Sequence, residues 1–200
     1  MSDYLKSYVK PIKIENVDEY YSLIQEISLS DTSRIFAENL SHSNNINMMI
    51  KEISILLANS LRLYEMGYFD NAYYSLRSAN ELATVMLDLS DKEDSEIQNN
   101  FEDFRQGKYD KMRGKIIYEL SQESIFFKEA IDKMPNFKED ISALLKEINN
   151  VVHRNGRENF YSFRFQNFDE NIHYSCNNNL NDKRVYHKDI LLIHTYLQFS

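Results

Sequence analysis

The chain has 200 residues, a length that suits one ordinary domain with its own core. Hydrophobic residues make up 42% of it, which excludes a disordered chain, and the scarcity of Gly (4) and Pro (2) argues against an all-β fold. The formal net charge of −8 argues against broad DNA or RNA binding, because phosphate backbones repel such a chain.

Cofactor, metal and membrane signals are missing from the sequence. Cys176 is the one cysteine, so no intramolecular disulfide forms, and no Cys/His cluster has zinc spacing. No apolar run approaches the roughly 20 residues of a membrane span, and the first residues lack the apolar segment of a signal peptide. We therefore expect a cytoplasmic protein with no metal, no cofactor and no membrane association.

The first 42 residues are predicted to form an N-terminal arm with short helices. Residues 9–14 contain Pro11 and indicate an extended arm or edge strand. Apolar residues at helical spacing predict a helix over 17–27, and residues 32–40 are a shorter helical candidate.

The strongest pattern begins at Ser43, which is predicted to be the N-cap of a long amphipathic helix that stops at Gly67. Asp70 is predicted to cap a second helix with the same spacing, up to Met86. Two such helices joined by a tight turn form an antiparallel helical hairpin.

Shorter helices are predicted after an acidic linker at 91–96, over 97–104, 109–120 and 123–134, where Pro135 ends the last. A further helix is predicted over 137–153. Its buried face carries Ile141, Leu144, Leu145, Ile148 and Val152.

Beyond this helix, apolar residues recur at every second position, the spacing of a β-strand. Apolar and polar residues alternate over 161–166 and 172–176, which predicts a β-hairpin, and Asp182 is predicted to cap a final helix. The predicted fold is thus mainly α, a single domain over 1–200. It comprises the arm (1–42), an antiparallel helical bundle (43–156), and the β-hairpin plus C-terminal helix (157–200).

Candidate site residues lie on the 137–153 helix, where Ser142, Lys146, Asn149 and His153 are spaced by four, three and four. This polar stripe suits a phosphate or ribose, and equally suits a solvated edge. The sequence VVHRNG also suits a plain helix end, because the C-terminal partial charge favours a cationic His153 or Arg154, and a glycine closes the helix.

A second candidate is Arg77, in the run LRSANELA of the second long helix. Arg77 and Glu81 are four residues apart and predict an ion pair. The arginine is either part of a surface pair or a buried anchor between helices.

The long helical pair with YYSLRSANELA, followed by a helix ending in LLKEINNVVHRNG, resembles the HEPN superfamily over residues 43–156. The resemblance implies a helical bundle, a homodimer, and a role in bacterial defence, toxin–antitoxin or RNA-processing systems. Many members are metal-independent ribonucleases whose motif is Arg, a polar residue such as Asn, at least three variable residues, and His.

Aligned on His153, this motif places Asn149 at the family's Asn but Ile148 at its Arg. In the family, the Arg and His of two subunits flank the scissile phosphate, where Arg stabilises charge and His activates or positions the 2′-hydroxyl. An isoleucine does neither. Lys146 offers one point charge instead of a bidentate fork, and Arg154 lies on the other side of the histidine.

Three functions follow as alternatives. The first is a non-catalytic HEPN-like module that binds a protein or RNA partner, which the missing Arg and the acidic charge favour. The second is a ribonuclease with His153 as acid or base, Asn149 orienting it, and Lys146 or Arg77 supplying charge. The third is a nucleotide- or small-molecule-binding bundle whose tyrosines stack on a base.

Overall fold

The computed structural model describes residues 13–34, 36, 38, 40–90, 94–111, 113–133 and 136–153. Within these ranges the regular elements are all α-helices, which confirms the mainly α prediction. They are α1 (Val17–Ser28), α2 (Leu40–Glu65), α3 (Phe69–Ser90), α4 (Asp94–Arg105), α5 (Arg113–Glu123), α6 (Ile125–Lys133) and α7 (Phe137–Val152). The predicted β-hairpin, the final helix and most of the arm lie outside the described residues.

The antiparallel pair α2–α3 is the centre of the bundle and its most extensive helix contact. Its apolar faces are those predicted, and Leu57, Leu61 and Leu76 are completely buried. Burying one such side chain contributes about 1.5–3 kcal/mol. The Ser60 hydroxyl adds a cross-link, because it donates a 2.6 Å hydrogen bond to the Ala72 carbonyl on the facing helix.

The turn between α2 and α3 confirms the predicted role of Gly67. This residue has a φ of 83°, in the left-handed region where a glycine carries no steric cost. The Gly67 and Tyr68 amides donate back to the carbonyls of Tyr64 and Leu63, which closes α2 in a Schellman motif. Asp70 is not the cap that was predicted, since α3 begins at Phe69 and places Asp70 in its first turn.

Two predictions at the start of α2 are wrong. The described residues of the stretch 32–40 lie in turns until α2 begins at Leu40, and Ser43 lies inside that helix, not at its N-cap. The reason is a buried contact of Thr32. Its hydroxyl lies 3.1 Å from the Ser43 hydroxyl, and the Thr32 backbone amide donates to Oδ1 of Asn47. These bonds hold the start of the segment against α2, and the described residues after it form only the single turn closed by the Phe36 amide and the Thr32 carbonyl at 3.0 Å.

The remaining helices pack around this pair. α1 lies on α2, whereas α4, α5 and α7 lie on α3, and α6 packs against α5. The predicted helix over 137–153 is confirmed as α7, with Ile148, Val151 and Val152 buried. Leu145 is half-buried, and the side chains of Ile141 and Leu144 lie outside the described part of the chain.

A charged cluster ties the segment between α4 and α5 to α3. Asp88 is 1% exposed, and its carboxylate accepts a 2.6 Å hydrogen bond from the Tyr109 hydroxyl and bonds of 3.1 and 3.2 Å from Lys111. Lys111 also bridges to Glu119 on α5 at 3.2 Å. Desolvation opposes the charge on Lys111, but hydrogen bonds and attraction from Asp88 and Glu119 outweigh it and raise the pKa of Lys111.

We expect Lys111→Met to lower the free energy of unfolding by about 1–3 kcal/mol, because it leaves the buried Asp88 carboxylate with fewer donors. Since the pKa of Lys111 is raised, its contribution is fully present below 10.5 and disappears only as the pH rises through the higher folded value. Urea denaturation at neutral and strongly alkaline pH measures both effects. Lys108→Met, at an exposed neighbouring lysine, is the control, and an equal loss in both variants would contradict the role of the cluster.

Candidate functional site

The predicted polar stripe lies on the outer face of α7. Ser142, Lys146 and Asn149 are exposed, and His153 is exposed at the helix end, where its amide donates to the Asn149 carbonyl at 2.8 Å. Burial of Ile148, Val151 and Val152 against the bundle fixes this orientation, because residues on the opposite side of the same turns must then face solvent.

The structure brings Arg77 of α3 to the end of this stripe. Its Nη1 lies 3.1 Å from Nε2 of His153, although 76 residues separate the two in sequence. The predicted pair with Glu81 is also present, with Arg77 Nε 2.7 Å from Glu81 Oε1. Arg77 is 31% exposed, so the surface pair with Glu81 is present, and the same guanidinium also contacts His153 on α7. It joins two helices at the surface.

The contact with Arg77 Nη1 requires one particular tautomer of the His153 ring. A guanidinium only donates hydrogen bonds, so Nε2 of the ring accepts the proton of Arg77 Nη1 and carries the lone pair. This hydrogen bond therefore requires the tautomer of His153 whose ring proton lies on Nδ1.

Tyr74 holds the end of α7 next to Arg77. Its hydroxyl donates a 3.3 Å hydrogen bond to the Val152 carbonyl, one of the carbonyls that a helix leaves without an internal partner. Tyr74 and Arg77 are three residues apart on α3, so they lie on one face of that helix. Together they fix the position of the His153 backbone and of its ring.

Ile148, which the resemblance aligns with the arginine of the HEPN motif, lies in the core and not at the candidate site. Its side chain is 0% exposed. A side chain there points toward the bundle and not toward the solvent face that carries Asn149 and His153. The positive charge beside His153 therefore comes from a different helix, through Arg77.

The other candidates fall into two groups. Asn149 and Lys146 lie about one and two turns before His153 on the same helix face, and both side chains are exposed. Arg154 lies outside the described residues. Among the side chains the structure does describe, no group of His, Cys, Asp or Glu is arranged to hold a metal ion, and no helix is long and apolar enough to span a membrane.

Comparison of the chain with protein-family models, with curated proteins and with solved structures found no match.

The sequence predicted the Arg77–Glu81 pair and, separately, His153 as a candidate, but it did not predict the contact between Arg77 and His153 or the role of Tyr74. Two signals were available: Tyr74 and Arg77 share a helix face, and so do Asn149 and His153. The docking of α3 against α7 is what brings the two faces together, and it is a tertiary fact that local spacing does not contain.

We expect nitrogen NMR of the His153 ring, under conditions where it is neutral, to show the proton on Nδ1 and the lone pair on Nε2. The reason is that Arg77 needs an acceptor at Nε2. In Arg77→Met the preference for this tautomer should be lost. A wild-type ring with its proton on Nε2 would contradict the contact.

We expect Ile148→Arg to destabilise the protein by more than about 3 kcal/mol, because the change puts an unpaired charge at a completely buried position. The control Ile148→Val should cost about 0.5–1.5 kcal/mol. Urea denaturation measures both variants. A stable Ile148→Arg protein that binds RNA more tightly would instead show that this position faces the site.

Proposed function

We propose that the chain is an HEPN-like helical module that binds single-stranded RNA at the surface formed by Arg77, Asn149, Lys146 and His153. The observation that carries the proposal is the 3.1 Å contact between Arg77 and His153, which places a guanidinium and an imidazole side by side at the surface. Guanidinium N–H groups match phosphate oxygens in a bidentate manner. The family resemblance supports RNA as the source of the phosphate.

The charge of the chain limits this binding to one small patch. With a net charge of −8, the surface as a whole repels a nucleic acid. Glu81 also neutralises part of the charge on Arg77 through their 2.7 Å ion pair. Binding should therefore be weak, and its salt dependence should be shallow, because only a few phosphates are neutralised.

The biological setting is part of the same proposal. From the resemblance to the HEPN superfamily, we propose that the protein acts in the cytoplasm of a bacterium, as part of a defence, toxin–antitoxin or stress system. We also propose that it acts as a homodimer, so that two Arg77–His153 sites meet one strand. Light scattering after gel filtration gives the mass that tests this state.

Salt-dependent binding tests the RNA site. We expect Arg77→Gln to weaken binding of a fluorescent U8 oligonucleotide and to reduce the slope of log K against log salt by about 0.7, the value for one phosphate contact on a single strand. Lys146→Gln should act in the same way. Lys51→Gln, which removes an exposed lysine of α2, should leave the slope unchanged. Equal slopes in all four proteins would refute the site.

A specific observation favours cleavage as a second candidate function. The Nε2 lone pair of His153 lies beside the Arg77 cation, so the pair offers both a base and charge stabilisation. When Arg77 turns to the phosphate, Nε2 is released to take the proton of the ribose 2′-hydroxyl. The 2′-oxygen then attacks phosphorus and a 2′,3′-cyclic phosphate forms. The bond from phosphorus to the 5′-oxygen breaks, and the leaving 5′-oxygen takes a proton from water.

An RNA digestion in EDTA separates binding from cleavage. If the second function holds, the wild-type protein produces cyclic-phosphate ends. The folded variants His153→Ala and Arg77→Gln should then cleave RNA at least about 100-fold more slowly. The control Lys51→Gln should cleave like wild type. Intact RNA with every variant, together with salt-dependent binding, would leave the non-catalytic module as the function.

A further inference from the structure

A cavity of about 360 Å³ lies beside the RNA site, between α3, the end of α4, the connecting segment and α5. Its size is at the lower end of the roughly 300–1,000 Å³ of ligand pockets, which suits one nucleoside better than a large cofactor. Glu81 belongs both to the cavity wall and to the ion pair with Arg77. A single side chain therefore connects the cavity with the proposed phosphate site.

We propose that this cavity binds a guanine base whose phosphate lies on Arg77 and His153. The guanine has two possible sources, an RNA strand and free guanosine monophosphate, which offer the same base and phosphate. For the RNA strand, the inference rests on the proposed function. Binding of oligonucleotides and of the free nucleotide separates the two sources.

The walls of the cavity suit a flat, partly apolar ring. Phe104 and Tyr109 line it with their rings edge to face, 6.3 Å apart between centroids, and Val85 and Ile116 add aliphatic surface. Bases bind to proteins by packing on aromatic faces of this kind. Gly107, which is exposed, and Glu81, whose side chain is 51% exposed, mark the side open to solvent.

The polar atoms of the wall are mostly hydrogen-bond acceptors. The Thr84 hydroxyl donates its proton to the Asn80 carbonyl at 2.9 Å, and the Tyr109 hydroxyl donates to Asp88 at 2.6 Å, so each keeps only lone pairs for a ligand. Glu81 has only acceptors when ionised, and Arg77 occupies one lone pair of its Oε1. Among the lining residues that the structure describes, Lys111 is the one cation, and it already bonds Asp88 and Glu119.

This acceptor set discriminates among the four bases. Guanine presents two adjacent donors, the ring N1–H and the exocyclic amine, which match the two oxygens of a carboxylate such as Glu81. Adenine and cytosine place a ring-nitrogen acceptor next to their amine, and uracil flanks its single N–H with two carbonyls. Each of the three therefore puts a lone pair against the Glu81 carboxylate, whereas guanine does not.

The experiment measures the affinity for UUUUGUUU relative to U8 by fluorescence anisotropy at low salt. In wild type we expect the single guanine to tighten binding about tenfold, within the range of one bidentate base contact. In Glu81→Gln this ratio should fall to about one, whatever the affinity for U8 becomes, because the amide loses one acceptor and adds a donor. Glu52→Gln, at an exposed carboxylate of α2 outside the cavity lining, should keep the tenfold ratio.

Val85→Phe gives a second, independent variant that fills the cavity without changing its charge, and it should also bring the ratio to about one. A thermal melt of each variant shows that it is folded. A wild-type ratio of one, a preference for another base at the same position, or a tenfold ratio that survives in both cavity variants would overturn the proposal.

Thermal stabilisation by guanosine monophosphate, compared with the adenosine and uridine monophosphates, distinguishes failure of this inference from failure of the RNA site. If U8 does not bind to wild type but guanosine monophosphate alone raises Tm, and Glu81→Gln abolishes that shift, the cavity is a mononucleotide site and the RNA proposal is wrong. If U8 binds through Arg77 without any guanine preference, the RNA site holds and the cavity proposal is wrong. If neither ligand binds, both are wrong.

Discussion

The packing of α2 against α3 is the interaction on which the rest of the molecule depends. Leu57, Leu61 and Leu76 are completely buried between these helices, and their loss to alanine would each cost about 2–5 kcal/mol. That burial also fixes the rotation of α3 about its own axis. Because Leu76 and Ala79 face inward, Arg77 and Glu81 must lie on the flank of the helix, where α7 and the cavity meet them.

A second amphipathic face then completes the site. The burial of Ile148 and Val152 turns Asn149 and His153 outward, and Tyr74 fixes the last carbonyl of α7. Neither helix holds the site by itself. Arg77 is a half-buried arginine on the flank of α3, and His153 is the residue that follows the last turn of α7. Only the docked pair places a guanidinium 3.1 Å from an imidazole, so core packing determines the geometry available for chemistry.

Sequence patterns predicted the features that depend on local periodicity. The long helices, the burial of Ile148 and Val152 on α7 and the Arg77–Glu81 pair follow from spacings of three and four, and the structure has each of them. The helix stop at Gly67 follows from the glycine itself and is also present. The patterns failed where a tertiary contact overrides a local preference. Serine is a common N-cap residue, but Ser43 lies inside α2, where its hydroxyl is 3.1 Å from that of Thr32.

The cavity is the clearest case of information that local spacing does not hold. Tyr109 was predicted to start a helix, yet α5 begins only at Arg113, and Tyr109 reaches back 21 residues to Asp88. A sequence signal did exist, because Asp88 interrupts the apolar run MLDL near the end of α3. A carboxylate at such a position needs donors from elsewhere, but the pattern does not say which of the later lysines or tyrosines supplies them.

Because Arg77 and His153 lie on different helices, the distance between them depends on how those helices pack. An arginine at position 148 would keep a fixed distance from a histidine on the same helix whatever the rest of the bundle does. Here the distance between Arg77 and His153 depends on how α7 lies against α3, and thus on Tyr74 and the buried residues of α7. Any partner that shifts α7 would also separate the two groups. Under the proposed function, the affinity for a phosphate would therefore be coupled to the packing of the bundle, which it would not be for a site contained in one helix.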